Sequence, residues 1–358
     1  MLYKLLYECV KYWFGFNVFK YITVRATLAT FTSLIISIIF GKKFINSMKR
    51  FCHPNDFLNF RENNKKDIPT MGGIFILSTL LFSTILWADI SNIYILLLIF
   101  LTIYLALFGY WDDMKKLVNQ SSRKGLRPII KIVAQVGAGL VIGIVLVYGQ
   151  GINFDTSVYL PFFKKVVIPL GEYYILFAIF LIVATSNAVN LTDGMDGLAI
   201  GSVMIVTLAY AAISYLAGNI KFAEYLSIPY VKGAEEVTIF TGALVGSCLG
   251  FLWYNCYPAE IFMGDTGSLP LGGIIGFLAI IVKQELSLIF VGGIFLIEGL
   301  SVVIQIISVK TRGKKVFLMT PLHHHFEKRG IPESKVVIRF LILTLILSLF
   351  TVITLKIR

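Results

Sequence analysis

Apolar stretches of close to 20 residues recur along the whole chain, and this recurrence limits its fold more than any other feature. A helix of about 20 apolar residues crosses the ~30 Å hydrocarbon core of a bilayer with its backbone hydrogen bonds satisfied internally. About ten such spans are expected, near 21–41, 71–87, 91–110, 129–149, 172–189, 198–217, 237–254, 268–282, 286–308 and 336–355. The chain is 57% hydrophobic and 15% charged, values of the membrane class rather than of soluble domains. No polar stretch is long enough for a separate soluble domain. Residues 1–358 therefore read as a single all-α polytopic membrane domain. The link Ala88-Asp89-Ile90 is so short that spans two and three form an antiparallel hairpin. Residues 150–171 mix Gly and Pro with β-branched and aromatic residues and predict a small β-hairpin. Residues 1–20 are aromatic and amphipathic, as an interfacial segment would be. They lack the short apolar core and small-residue site of a cleaved signal peptide.

The net charge of +12 raises the question of nucleic acid, but its distribution answers against it. The loops at 42–66, 111–128 and 309–335 carry 19 Lys and Arg, whereas those at 88–90, 150–171, 218–236 and 283–285 carry 5. Such alternation is a topology signal. It places the first set in the cytoplasm and both termini on the opposite, periplasmic side. The partner implied is the bilayer, and basic loops can also hold anionic phosphates. The four cysteines, Cys9, Cys52, Cys248 and Cys256, form no CxxC pair and no disulfide framework, so they read as packing residues.

The unusual polar motifs all fall on the expected cytoplasmic face. The central one, Asn187-Ala-Val-Asn190-Leu-Thr-Asp193-Gly-Met-Asp196-Gly197, lies between two spans. One Asp there would be an ordinary helix cap. Two Asn and two Asp within ten residues point instead to the floor of a polar site. Asp112 and Asp113 end span three. Adjacent helical residues point about 100° apart, so the two differ in role: one suits a metal or basic partners, the other a substrate. A solvated helix end explains Asp113 equally well. Asp265 sits in Met-Gly264-Asp-Thr-Gly, where glycines expose backbone N–H groups to phosphate. Carboxylates with phosphate are the usual shell of Mg²⁺. Three consecutive histidines, His323, His324 and His325, rarely all reach one ion, and no HExxH or Cys partner accompanies them, so phosphate binding suits them better than zinc. Lys65, Lys116 and Lys124 suit the same task or serve only topology. Phe262 could stack on a base or simply pack.

An aspartate-rich face lined with His and Lys, inside a polytopic protein, points to phosphoryl transfer to or from a membrane lipid. The chain has no GxxxxGK[ST] and no DDxxD, which argues against an ATP-driven pump and a DDxxD prenyl transferase. A transporter of an anionic metabolite is the rival class. It would place its charges at mid-bilayer rather than at helix ends.

Six segments carry a family resemblance: Pro69-Thr-Met-Gly-Gly73, Trp111-Asp-Asp113, Lys124-Gly-Leu126, Asn187 to Gly197, Phe262-Met-Gly-Asp-Thr-Gly-Ser268 and Pro321-Leu-His-His-His-Phe-Glu327. With them the whole chain resembles the polyprenyl-phosphate N-acetylhexosamine-1-phosphate transferases. The triple histidine resembles the MraY branch, the phospho-N-acetylmuramoyl-pentapeptide transferases, rather than the GlcNAc-phosphate branch. The resemblance implies a bacterial inner-membrane homodimer that needs Mg²⁺. It implies that undecaprenyl phosphate attacks UDP-MurNAc-pentapeptide to give lipid I and UMP. By motif position, Asp265 would bind the metal, Asp112 would be base or nucleophile, and Asp113 would be essential beside it. Asn190, Asp193, Asp196, Asn255 and Phe262 would hold the nucleotide, with Gln305 and His324 nearby, His324 counting with the aspartates as catalytic. Lys65 and Thr70 would line the cleft. Asn187, Gly264, His323, His325, Lys116 and Lys124 complete the substrate-binding set. The first cytoplasmic loop departs from the family pattern. Lys65, Pro69 and Thr70 are kept, Asp67 and Ile68 replace Gly and Thr, and the usual Asp-Gly-Pro is missing.

Overall fold

The computed structural model describes residues 2–51, 68–119, 125–150, 154–163 and 166–356. Numbered in chain order, its helices begin with α1 Leu2–Glu8, α2 Ile22–Phe51, α3 Gly73–Trp87, α4 Ile93–Val118 and α5 Pro128–Tyr148. They continue with α6 Tyr174–Thr192, α7 Leu198–Ala217, α8 Ile220–Leu226, α9 Ala234–Asn255 and α10 Asp265–Ile281. The last four are α11 Leu288–Val291, α12 Gly293–Arg312, α13 Leu322–Lys328 and α14 Glu333–Thr354. Among the described residues, eight helices are long and apolar enough to cross a membrane, and two shorter apolar helices, α3 and α10, accompany them. The protein is thus an all-α polytopic membrane protein.

The short helix α10 is the hub. Every residue from Thr266 to Ile281 is buried, so none of its surface needs to face lipid. It packs chiefly on α4 and α6 and touches α3 and α7. Around it α2 packs along α9, α9 on α7, α5 on α6, and α14 on α7. Outward-facing Leu107, Phe180 and Ile346 are exposed in the isolated chain, as lipid-facing side chains would be.

The expected hairpin is present, with β1 Ser157–Tyr159 antiparallel to β2 Val167–Pro169. Several boundaries differ from the sequence reading. Helix α4 runs on to Val118, so Asp112 and Asp113 lie within its last turns rather than at its very end. Helix α6 runs to Thr192 and carries Asn187 and Asn190 on its body. Two stretches read as loops contain helices. In one, Asn219 caps α8 by accepting from the N–H groups of Lys221 and Phe222. In the other, the histidines lie on α13.

Buried or part-buried ion pairs hold the ends of the helices opposite the aspartates. The Arg25 guanidinium of α2 meets Glu236 of α9 at 2.5 and 3.1 Å, and Glu236 also accepts from the Asp89 N–H at 3.1 Å. Lys283, just past α10, pairs with Glu285 at 3.0 Å over the ring of Tyr174. Burial pushes the Lys283 ammonium below the ordinary lysine range, and Glu285 opposes the shift.

Helix α4 can approach the start of α10 because residue 109 is glycine. A Cβ there would collide with the Asp265 carbonyl group and come within 2.7 Å of Thr266 Cα. These are backbone atoms that cannot turn aside. Gly109→Ala is therefore expected to destabilise the protein by about 1–3 kcal/mol. It should lower the thermal unfolding midpoint in detergent, and an unchanged midpoint would exclude so close a crossing.

Candidate active site

The start of α10 leaves backbone N–H groups without helical partners. Asp113, on α4, supplies the acceptors. Its Oδ1 takes the Asp265 N–H at 3.2 Å, and its Oδ2 takes the Thr266 N–H at 2.8 Å and the Thr266 hydroxyl at 2.7 Å. Gly264 precedes the helix at φ +74, and a Cβ there would lie 2.6 Å from Asp113 Oδ2 and 3.1 Å from Thr70 Oγ1. Only a residue without a side chain lets the two carboxylate-bearing segments close together here.

Capping by Asp113 brings Asp265 beside Asp112. One oxygen from each of Asp112, Asp113 and Asp265 lies within 4.8 Å of the other two. Two ammonium groups thread between them. Lys116 Nζ is 2.5 Å from Asp112 Oδ2, 3.1 Å from Asp265 Oδ2 and 3.5 Å from Asp113 Oδ1. Lys131 Nζ is 2.8 Å from Asp112 Oδ2 and 2.5 Å from Asp265 Oδ2. The remaining oxygens are also engaged. Asp112 Oδ1 accepts the Leu126 N–H at 2.6 Å, and Asp265 Oδ1 accepts from the Asn190 amide at 2.9 Å. Asn190 also donates to Ser268 Oγ at 2.7 Å. Asp112 and Asp113 are fully or almost fully buried, so without the lysines their charges would be costly.

The donor set fits a divalent cation of the Mg²⁺ or Ca²⁺ kind. It consists of hard carboxylate oxygens, and cationic groups already sit among them. The carboxylates outnumber the ammonium groups, leaving a net negative charge for a further cation.

The remaining sequence candidates form a frame around this cluster. The Phe262 N–H donates to Pro69 O at 2.9 Å, and the Gly72 N–H donates to Phe262 O at 2.8 Å. The strip 69–73, with Thr70, thus runs alongside Phe262 and Gly264. Asp196 accepts the Ala259 N–H at 3.1 Å, and Asn255 accepts the Gly197 N–H at 3.1 Å and donates to Ile261 O at 2.8 Å. Both side chains are buried and brace loops. Partly exposed Asp193 caps the C-terminus of α6. Asn187 points away from the carboxylates. Its amide donates to Gln135 and Val183 O, both at 2.7 Å. The Gln305 amide holds the backbone of Val316 and Phe317 at 3.0 Å.

The histidines divide the work among them. His323 is buried, its N–H donates to Glu298 at 3.2 Å, and its Nδ1 lies 3.2 Å from Glu298 Oε2 without hydrogen-bond alignment. His325 Nδ1 accepts the Leu318 N–H at 3.1 Å. His324 is a quarter exposed, and its Nδ1 meets Glu327 at 2.9 Å. The Nε2 atoms of His323 and His324 lie over Gly194, in the turn that follows α6. Lys65 and Lys124 lie outside the described residues.

Lys131 was missed by sequence reasoning. The signal was present: a lysine in the first turn of an otherwise apolar span is a functional flag in its own right. Glu298, inside the span expected at 286–308, is a second such residue, and its partner His323 comes from α13. Asp113→Ala would strip the acceptors from the first N–H groups of α10. It is expected to lower stability by about 1–3 kcal/mol, read as a lower unfolding midpoint in detergent, with Asp113→Asn less affected.

Residues 95–283 match the model of glycosyl transferase family 4, and residues 65–77 match signature 1 of the phospho-N-acetylmuramoyl-pentapeptide-transferases. The first segment carries the three aspartates, Lys116, Lys131 and Asn190. The second covers the strip beside Phe262, despite its departures at Asp67 and Ile68. Over the full length of both chains, this one is 46% identical to the phospho-N-acetylmuramoyl-pentapeptide-transferases of Citrifermentans bemidjiense and Pelagibacter ubique. It is 43% identical to that of Brachyspira hyodysenteriae, again over both chains in full. The chain belongs to glycosyl transferase family 4 and, within it, to the phospho-N-acetylmuramoyl-pentapeptide-transferases.

Proposed function

We propose that this protein transfers phospho-MurNAc-pentapeptide from UDP-MurNAc-pentapeptide to undecaprenyl phosphate, giving lipid I and UMP for peptidoglycan synthesis. The observation behind the reading is the aspartate trio, Asp112 and Asp113 buried and Asp265 partly so, threaded by two lysines at the ends of membrane helices, in a chain related over its full length to such transferases. The reaction is assigned to the cytoplasmic face of the bacterial inner membrane, which the basic loops support.

In the displacement, an oxygen of the lipid phosphate forms a bond to the phosphorus that bears the sugar. The bond from that phosphorus to the bridging oxygen breaks, and UMP leaves. Lys116 and Lys131, already convergent, bind and orient the incoming phosphate. Asp112, beside both ammonium groups, takes the proton of a lipid phosphate that arrives protonated. Asp265, with Asp112, would hold Mg²⁺. When bound, the metal supplies charge neutralisation on the diphosphate. Asp113 keeps the start of α10, and with it Asp265, in place. Asn190 orients Asp265 through its amide. Phe262 and Asp193 are assigned to the nucleotide, and His324, backed by Glu327, to a phosphate oxygen.

The test is UMP release by purified protein in detergent with undecaprenyl phosphate and Mg²⁺. Release with UDP-MurNAc-pentapeptide, none with UDP-GlcNAc, and loss on adding EDTA are expected. Asp112→Asn, Asp113→Asn and Asp265→Asn should each lower turnover by more than about 100-fold in folded protein. Release with UDP-GlcNAc alone would move the chain to the GlcNAc-phosphate branch. No release from folded protein with either donor would overturn the reading.

A further inference from the structure

The helices that meet at the carboxylate cluster are tied together a second time, one turn deeper. In the upper layer Lys131 of α5, Asn190 of α6 and Asp265 of α10 are in contact. Four residues along each helix lie Gln135, Ser186 and Leu269. The Gln135 amide donates to Ser186 Oγ at 3.0 Å, and Ser186 Oγ donates to Leu269 O at 2.9 Å. The Asn187 amide donates to Gln135 Oε1 at 2.7 Å. Gln135 is 1% exposed and Ser186 fully buried, so neither is open to substrate, and Asn187 beside them is part-buried.

The rest of the contact between α5 and α6 is smooth. Gln135, Gly139 and Gly143 form one stripe on α5. A Cβ on Gly139 would lie 2.7 Å from Ile179 Cα, and one on Gly143 would lie 3.0 Å from Ile175 Cα. Small residues let helices approach closely but do little to fix their position along the axis. Among the described residues, the Gln135 amide makes the side-chain hydrogen bonds between the bodies of α5 and α6, while at the far end Tyr148 of α5 meets Glu172 just before α6. A slip of one residue would move Lys131 by about 1.5 Å. That would break its simultaneous reach to Asp112 at 2.8 Å and Asp265 at 2.5 Å.

We propose that Gln135 is a positioning residue that sets the axial register of α5 against α6 and α10 and so holds Lys131 between Asp112 and Asp265. Asn187 belongs to this brace rather than to the substrate surface. The inference rests on the reading of the aspartate–lysine cluster as the reacting site.

The test is a double-mutant comparison of turnover with undecaprenyl phosphate and UDP-MurNAc-pentapeptide, alongside thermal unfolding in detergent. Gln135→Leu is expected to lower kcat by about 10- to 100-fold, with KM for the nucleotide donor little changed. In the Lys131→Gln background the same substitution should cost less than about 2-fold more, because its effect runs through Lys131. Ser186→Ala removes one hydroxyl and little volume. It should show the same non-additivity with a smaller loss, and it carries the comparison if Gln135→Leu does not fold. An equal fractional loss in both backgrounds would overturn the proposal, since Gln135 would then act on the fold at large. Unchanged turnover in folded Gln135→Leu would overturn it as well. Full activity in Lys131→Gln would instead overturn the reading of the site itself.

Discussion

Asp113 caps a helix to which it does not belong, and the rest of the site depends on that contact. The start of α10 sits inside the protein, where its free N–H groups have little access to water. By accepting from Asp265 and Thr266, Asp113 makes the end of α4 and the start of α10 one unit. Its neighbour Asp112 points elsewhere on the same helix and so faces Asp265 across a short gap. Carboxylates that close are held at strong mutual repulsion unless cations lie between them. Lys116 comes from one turn further along α4, and Lys131 reaches in from α5. Asn190 closes the arrangement from α6.

The site is thus built where helix ends converge rather than in a soluble domain. A membrane enzyme that joins a soluble nucleotide sugar to a lipid must work at the boundary between the two phases. Charges at mid-bilayer would serve a transport path; charges at helix ends serve a reaction on one face. The second polar layer, at Gln135 and Ser186, shows the same economy: few polar groups, each hydrogen-bonded, each joining helices that already touch. The histidines of α13 enter from outside this frame, over the turn that follows α6.

Much of this was legible in the sequence. Helix positions followed from apolar run length, and the hairpin at 150–171 from its turn residues. The aspartates stood out because acidic residues are costly beside membrane spans. What was not legible depended on three-dimensional convergence. Helix α4 continues through Asp112 and Asp113 because Asp112 is balanced by lysines, one of them 19 residues further on. In the sequence Lys131 stands alone at the head of an apolar span, and its partners lie on two other helices. Asn187 sat in an acidic, amide-rich motif and was grouped with it. Helical geometry instead turns it one layer down, toward Gln135. The three histidines look equivalent as a run, but on a helix each meets a different neighbour.

The cation proposed for this site would be held by Asp265 and Asp112, which Asp113 keeps together by capping α10. Binding of Mn²⁺ to the purified protein in detergent can be followed by electron paramagnetic resonance. One ion per chain is expected, displaced by excess Mg²⁺ and lost in both Asp265→Asn and Asp112→Asn. Undiminished Mn²⁺ binding in both variants would place the cation away from these aspartates.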